Sequence, residues 1–223
     1  MTYSSEQVNK YSALKEKFNE TDKDLFGRLE SIGVIDKEVL DVGCGDGRQA
    51  LLVKDMGAKH LTGIDISEKM IKLAKEKAKN VDAVEFLVAN GSDMPLKDES
   101  VDIVFSNFVI HYFSDSQRVF AEIARVLKKE GYFIGTFNIT DVDEGFNHLY
   151  NTNMPIRLGR GNESVVVENL IKSKEEIEKA ISEAGFIIEE KSELDHPNAV
   201  VDDSYKDRVH IKKHAMLFVL KKH

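Results

Sequence analysis

Short apolar runs alternate along this chain with stretches whose apolar positions recur at helical spacing, the pattern that builds a parallel sheet covered on both faces. The spacing predicts helices over 5–18 and 22–32, the second carrying Leu25, Phe26, Leu29 and Ile32 on one face. A strand over 39–42 runs into Gly43, Gly45 and Gly47, and a helix over 49–56 follows, closed by Gly57. A second strand, 61–65, leads to Ser67, whose hydroxyl suits a helix N-cap. Glu68 in that helix's first turn and Lys72, Lys75, Lys77 and Lys79 toward its end match the helix dipole, while Met70, Ile71, Leu73, Ala74 and Ala78 supply its buried face. Further strands are expected over 84–89, 101–105 and, after a turn at Gly131, 132–137, with an amphipathic helix over 117–127.

From 138 to 172 the alternation lapses, and a stretch of that kind inside a compact domain is functional or hides a helix. A helix over 173–184, capped by Ser173 and closed by Gly185, then leads to strands over 186–190 and 215–220. The connection between those strands suits a long hairpin, so one of the two should run antiparallel to the rest. The expectation is one α/β domain over 1–223 with a doubly wound, mostly parallel sheet, N-terminal helices within 1–36, and an insertion or lid over 138–172.

Composition narrows the partners. The 223 residues carry 31 Lys and Arg against 39 Asp and Glu, a net charge of -8 that repels phosphate backbones, so nucleic acid is not an expected partner. No apolar run reaches the roughly 20 residues of a membrane helix. The single cysteine, Cys44, forms no internal disulfide and the first residues lack a signal-peptide pattern, so a cytoplasmic setting is expected.

The chemistry concentrates in Asp41-Val42-Gly43-Cys44-Gly45-Asp46-Gly47, where a strand enters alternating glycines that open a helix. Absent side chains there let a ligand approach the backbone, with amides expected to point outward. About 20 residues further on, Asp65 ends the next strand, where a carboxylate accepts hydrogen bonds from both hydroxyls of a ribose. Gly45-x-Gly47-x-x-Ala50 also satisfies the dinucleotide fingerprint, so a nicotinamide cofactor, and with it an NAD(P)-binding oxidoreductase, is the alternative. Asp41 and Asp46 beside the turn oppose a pyrophosphate by about 1–4 kcal/mol and favour a cationic ligand. S-adenosylmethionine, an ammonium and a sulfonium without phosphate, is such a ligand.

These motifs resemble the class I S-adenosylmethionine-dependent methyltransferases, especially the small-molecule branch of ubiquinone and menaquinone type, closely over 39–137 and loosely in the flanks. The resemblance implies a Rossmann-like seven-stranded sheet with one antiparallel edge strand, S-adenosylmethionine as cofactor and in-line methyl transfer to a small-molecule acceptor. It implies a glycine loop, Asp41, Gly43, Cys44 and Gly45, along the methionine moiety, Asp65 on the ribose and Ile66 on an adenine face. Asn90 stands where the family usually has Asp for the adenine amino group, with Gly91 beside it and Asp93 as the alternative acid. Ser106 and Asn107 are expected to reach the methyl donor, and an N-terminal aromatic, Tyr11 or else Tyr3, to touch the cofactor. The acceptor pocket is expected to close with the N-terminal helix around Tyr11, the stretch 107–113 and, as a lid, 138–158.

His111, just past the fourth strand, is the candidate base for an acceptor hydroxyl or amine, the other reading being a histidine bonded to backbone. His148 and Tyr150 are candidate acceptor contacts, and Cys44 is read as a packing residue more than a nucleophile. Asp141, Asp143 and Glu144 form a solvated acidic loop in preference to a metal site, so no metal is expected. An Asn-Pro-Pro-aromatic motif is absent after the fourth strand, where Asn107 is followed by Phe108 and Val109. The assembly expected is a monomer or homodimer, and a non-catalytic S-adenosylmethionine-binding protein remains a further alternative.

Overall fold

The structure, a computed structural model, describes residues 22–142, 150–151, 153–158, 165–194 and 211–223. In chain order the elements are α1 (Asp22–Ile32), β1 (Glu38–Val42), α2 (Arg48–Asp55), β2 (His60–Asp65), α3 (Glu68–Lys77), β3 (Val84–Val88), β4 (Val101–Asn107) and a 3-10 turn (Ile110–Tyr112). They continue with α4 (Ser116–Val126), β5 (Leu127–Val142), β6 (Asn153–Leu158), β7 (Val165–Leu170), α5 (Lys174–Glu183), β8 (Phe186–Leu194) and β9 (Ile211–Lys222). The helix expected over 5–18 lies outside the described residues.

Seven strands form one sheet in the order β3-β2-β1-β4-β5-β9-β8. β1 is central: Asp41 pairs with Gly63 of β2 on one side and with Phe105 of β4 on the other, all parallel. The chain therefore winds outward from β1 to β3, returns, and winds the other way through β4 and β5, leaving a crevice above the carboxyl ends of β1 and β4. β9 runs antiparallel to both β5 and β8, so the antiparallel pairings lie at the expected end of the sheet, with β9 one place in from the edge.

Consecutive strand residues face opposite sides, and each side has its own core. Leu40, Val104, Phe120, Phe133, Phe137 and Phe218 pack with α4 and α5 on one face, and Leu25, Leu29, Val53, Leu61, Ile71 and Phe86 with α1–α3 on the other. Phe137 and Phe218 stack at 4.8 Å, joining β5 to β9 through side chains as well as backbone. The caps fall where local chemistry places them: Ser67 accepts from the Met70 N–H at 3.4 Å and Ser173 from the Glu176 N–H at 3.1 Å.

Two expectations need correction. Gly131 does not open a new strand; β5 already pairs at Leu127 with Val101, and the register jumps to Tyr132 opposite Ile103, so residues 128–131 bulge out of a continuous strand. The irregular segment holds no described helix. β5 extends to Val142, and β6 and β7 pair as a separate antiparallel hairpin. Met154, Ile156 and Leu158 recur at period two, a strand rhythm broken to the eye by Pro155 and Arg157.

Candidate active site

A cavity of about 300 Å³ opens above the carboxyl ends of β1, β2 and β4, at the small end of the range for small-molecule sites. Of the residues expected at a cofactor, Gly43, Gly45, Asp65, Ile66, Asn90 and Gly91 line it. Its opposite wall is Phe108, Val109, Tyr112 and Phe113 from the segment after β4, with Ser114 and Asp115 at the lip.

The glycine loop is fastened inward. The Gly43 and Cys44 amides both donate to the Ile64 carbonyl, at 2.8 and 2.9 Å, and the Gly47 amide to the Cys44 carbonyl at 3.0 Å. The Gly45 amide donates to Asp65 Oδ2 at 3.0 Å. The expectation that these amides point outward is thus overturned: the curl of the loop back over β2 uses them. Donors already spent make no anion cradle, which speaks against a pyrophosphate more strongly than charge does. The charge argument itself loses one member, because Asp46 Oδ2 sits 2.6 Å from Lys77 Nζ.

Asp65 links the loop to α3. Its Oδ1 accepts the Ser67 N–H at 2.8 Å while Oδ2 holds Gly45. Each carboxylate oxygen keeps a second acceptor position, and Asp65 lines the cavity, so both hydroxyls of a ribose can be received there. Burial pushes the Asp65 carboxyl above its ordinary value, and the Ser67 and Gly45 amides work against that rise. Beside it Ile66, 57% exposed, offers an apolar face next to the cavity. Gly45, at φ 54°, has no atom within 4 Å of where a Cβ would stand, which leaves its face open for close approach. Gly43 and Gly91 serve differently: a Cβ would lie 2.4 Å from Val109 Cγ1 at the first and 2.7 Å from Phe113 Cζ at the second, so the wall after β4 rests on both glycines.

Other expected residues are placed away from the cavity lining. Asp41 is buried within β1. Cys44 is buried against Gly63, and burial first, then Asp41, Asp65 and Asp46, pushes its thiol well up, which fits the reading of a packing residue. Ser106 and Asn107 turn inward: Ser106 Oγ donates to the Val42 carbonyl at 2.8 Å, and Asn107 Nδ2 to Asp22 Oδ1 at 3.0 Å. Neither side chain lines the cavity. His111 is 1% exposed, its Nδ1 accepts the Asn138 N–H at 3.3 Å, and its ring lies 4.3 Å from that of Tyr112, which is the backbone-bonded reading. Asn90 Oδ1 accepts the Ser92 N–H at 3.1 Å and the Ser92 hydroxyl at 2.8 Å, so a ligand amine would have to displace one of them. Asp93 is exposed and off the lining, and Tyr150 is half-buried off it as well. Tyr3, Tyr11 and His148 lie outside the described residues, as do Asp143 and Glu144. Among the described residues no acidic, histidine or cysteine group is arranged to hold a metal ion, and no helix is long and apolar enough to cross a membrane.

Asp22 and Lys172 are among the buried polar residues that were not foreseen. Asp22, 6% exposed, pairs with Arg48 and accepts Gln49 Nε2 at 2.7 Å as well as Asn107. Lys172, 0% exposed, donates to the Ser114 carbonyl at 3.1 Å, Asn151 Oδ1 at 2.7 Å and Glu176 Oε1 at 2.6 Å, joining the cavity lip to the root of the β6–β7 hairpin and to α5. Beyond the stretch 107–113, the lip carried a signal in Asp115, a residue type that caps helices, and it does cap α4 by accepting the Arg118 N–H at 2.9 Å.

A doubly wound sheet with an acid-anchored glycine loop at its switch point is an arrangement that suits a nucleoside ligand. Residues 40–135 match the family model described as methyltransferase domain. The chain is 31% identical over 142 residues to Bacillus subtilis YcgJ, named as an uncharacterized methyltransferase, covering 57% of this chain and 56% of that protein. It is 35% identical over 126 residues to the demethylmenaquinone methyltransferase of Listeria monocytogenes serovar 1/2a, covering 53% of each. The chain thus spans only about half the length of these relatives. Among solved structures it resembles a geranyl diphosphate methyltransferase in complex with S-adenosylmethionine, with a TM-score of 0.70 at 17% identity over 97% of this chain and 90% of that one. A Mesorhizobium loti S-adenosylmethionine-dependent methyltransferase matches with a TM-score of 0.62 at 19% identity, over 85% and 93% of the two chains. Residues 40–135 thus resemble a methyltransferase domain, and the fold is shared with S-adenosylmethionine-dependent methyltransferases of known structure.

Proposed function

We propose that this protein transfers the methyl group of S-adenosylmethionine to a small-molecule acceptor by in-line displacement. The observation that carries the reading is Asp65, a carboxylate bonded to the glycine loop and the α3 cap yet open to the cavity. Asp65 receives the ribose, Gly43 and Gly45 flank the methionine moiety, and Ile66, Asn90 and Gly91 surround the adenine. When bound, the sulfonium supplies an already activated methyl group. The chain's own task is therefore to align the acceptor and exclude water, which needs little side-chain chemistry. Phe108, Tyr112 and Phe113 provide an apolar wall for that purpose, and His111 behind it holds the Asn138 backbone. Relatives whose names carry demethylmenaquinone and geranyl diphosphate suit an acceptor with an apolar body. A reducing, cytoplasmic setting suits the lone buried thiol of Cys44.

Calorimetry with S-adenosylhomocysteine tests the cofactor half: binding is expected, and Asp65→Ala should cost about 3 kcal/mol, over a hundredfold in Kd. Tight NADH binding without S-adenosylhomocysteine binding would restore the oxidoreductase alternative. Transfer of radiolabelled methyl to a low-molecular-weight metabolite extract tests the other half. Binding with no labelled product from any extract would leave the non-catalytic alternative standing and sink the proposed activity.

A further inference from the structure

Phe108 lines the cavity with a left-handed backbone, φ 55°. That conformation disfavours a bulky residue by roughly 1–2 kcal/mol and persists only where the surroundings over-determine it. The surroundings here form a directional chain of hydrogen bonds. Asp22 is a carboxylate, which only accepts, so the Asn107 amide must turn Nδ2 toward it, at 3.0 Å. Asn107 Oδ1 is thereby aimed at Thr136, whose hydroxyl donates to it. A hydroxyl that donates its one proton there has only lone pairs left, and these face the Phe108 N–H at 3.2 Å. The same N–H reaches the Thr136 carbonyl at 2.7 Å. Thr136, Asn107 and Asp22 are 0%, 5% and 6% exposed, so water does not compete along this path. At its far end Asp22 also takes Gln49 and Arg48, the first residues of the helix that follows the glycine loop.

We propose that Asp22, Asn107 and Thr136 are positioning residues that hold Phe108 in its strained backbone and so set the acceptor-side wall relative to the cofactor loop. The consequence for methyl transfer rests on the reading of Phe108 as that wall. The relay itself does not depend on which acceptor is used.

The test places 4-fluorophenylalanine at position 108 and records its fluorine spectrum with and without S-adenosylhomocysteine, alone and combined with Thr136→Val or Thr136→Ser. A single resonance is expected in the parent and in Thr136→Ser, which keeps the hydroxyl. A shifted, split or broadened resonance is expected in Thr136→Val, with S-adenosylhomocysteine affinity kept within about threefold. Labelled methyl transfer to metabolite extract at saturating S-adenosylmethionine should fall about tenfold or more in Thr136→Val and recover in Thr136→Ser. An unchanged resonance in folded Thr136→Val overturns the relay whatever acceptor is found. A changed resonance with unchanged transfer supports the relay and overturns the acceptor-wall reading instead. If Thr136→Val does not fold, Asn107→Leu interrupts the path one link earlier: a changed Phe108 resonance supports the relay and an unchanged one overturns it.

Discussion

Gly45 and Gly47 stand two residues apart in the same loop, both left-handed at φ 54° and 77°, yet adding a methyl group to each should break different properties. In Gly45→Ala the new Cβ meets nothing within 4 Å, so the cost to folding is the backbone term alone, about 1–2 kcal/mol. For a chain of this size that lowers Tm by about 2–8 °C. The methyl group, however, projects where the ligand must approach the backbone, and the Kd for S-adenosylhomocysteine should rise about a hundredfold, or roughly 2.7 kcal/mol. In Gly47→Ala the Cβ falls 2.7 Å from Phe86 Cζ and 2.9 Å from Ala74 Cβ, inside the core between α2, α3 and β3. Overpacking there adds about 1–3 kcal/mol to the same backbone cost, for a total of about 2–5 kcal/mol. Urea denaturation and isothermal calorimetry on both variants read the two effects separately. Gly45→Ala should lose affinity with modest loss of stability, and Gly47→Ala the reverse for whatever fraction stays folded. Affinity within about threefold of the parent in Gly45→Ala would refute the placement of the ligand against this loop.

Three further outcomes follow from the same geometry. Burial lifts the Asp65 carboxyl above 3.8, the ordinary aspartate value, so the folded state binds its proton more tightly than the unfolded chain does. The contribution of Asp65 to stability therefore falls as pH rises through that window, whereas S-adenosylhomocysteine affinity, which needs the ionised form, falls as pH drops through it; calorimetry between about pH 4 and 7, with Asp65→Asn as the flat control, checks the sign. Lys172→Met should cost about 2–3 kcal/mol in urea denaturation, since three oxygens lose their donor but half-buried Glu176 regains water; a cost under about 1 kcal/mol would show the ammonium to be dispensable. Cys44→Ser should leave S-adenosylhomocysteine affinity within about threefold and methyl transfer measurable, and complete loss of transfer in the folded variant would give the thiol a chemical role.

What the chain discloses by itself is what local chemistry decides. Ser67 and Ser173 cap the helices they precede because a hydroxyl at that position has an amide to accept three residues on. Gly43, Gly45 and Asp65 converge because a strand ending in glycines and a strand ending in an acid sit side by side in a parallel sheet. What stayed hidden depends on partners distant in sequence. Nothing near Asp22 announces that Asn107, 85 residues away, will meet it, and a lysine read alone is a surface residue, yet Lys172 is sealed by oxygens from three segments. His111 had the right chemistry for a base and the right stretch of chain, but the 3-10 turn carries Tyr112 to the cavity and His111 behind it. The charges on Asp46 and Lys77 are both visible in the sequence, and their pairing across 31 residues is not.

The place of β9 in the sheet bears on how the molecule is made. Every strand that frames the cavity, β1 to β4, pairs with neighbours synthesised by the end of β5, while β5 presents a long flank that only β9 covers, from Tyr132 against Lys221 to Val142 against Ile211. On the ribosome the cofactor cradle can therefore assemble before the sheet is complete. Until β9 emerges, the same nascent chain carries a bare, apolar strand edge that invites pairing with a neighbour. Early capture of S-adenosylmethionine would stabilise the framed half by mass action during that interval. The ligand proposed for the reaction would then also protect the unfinished chain.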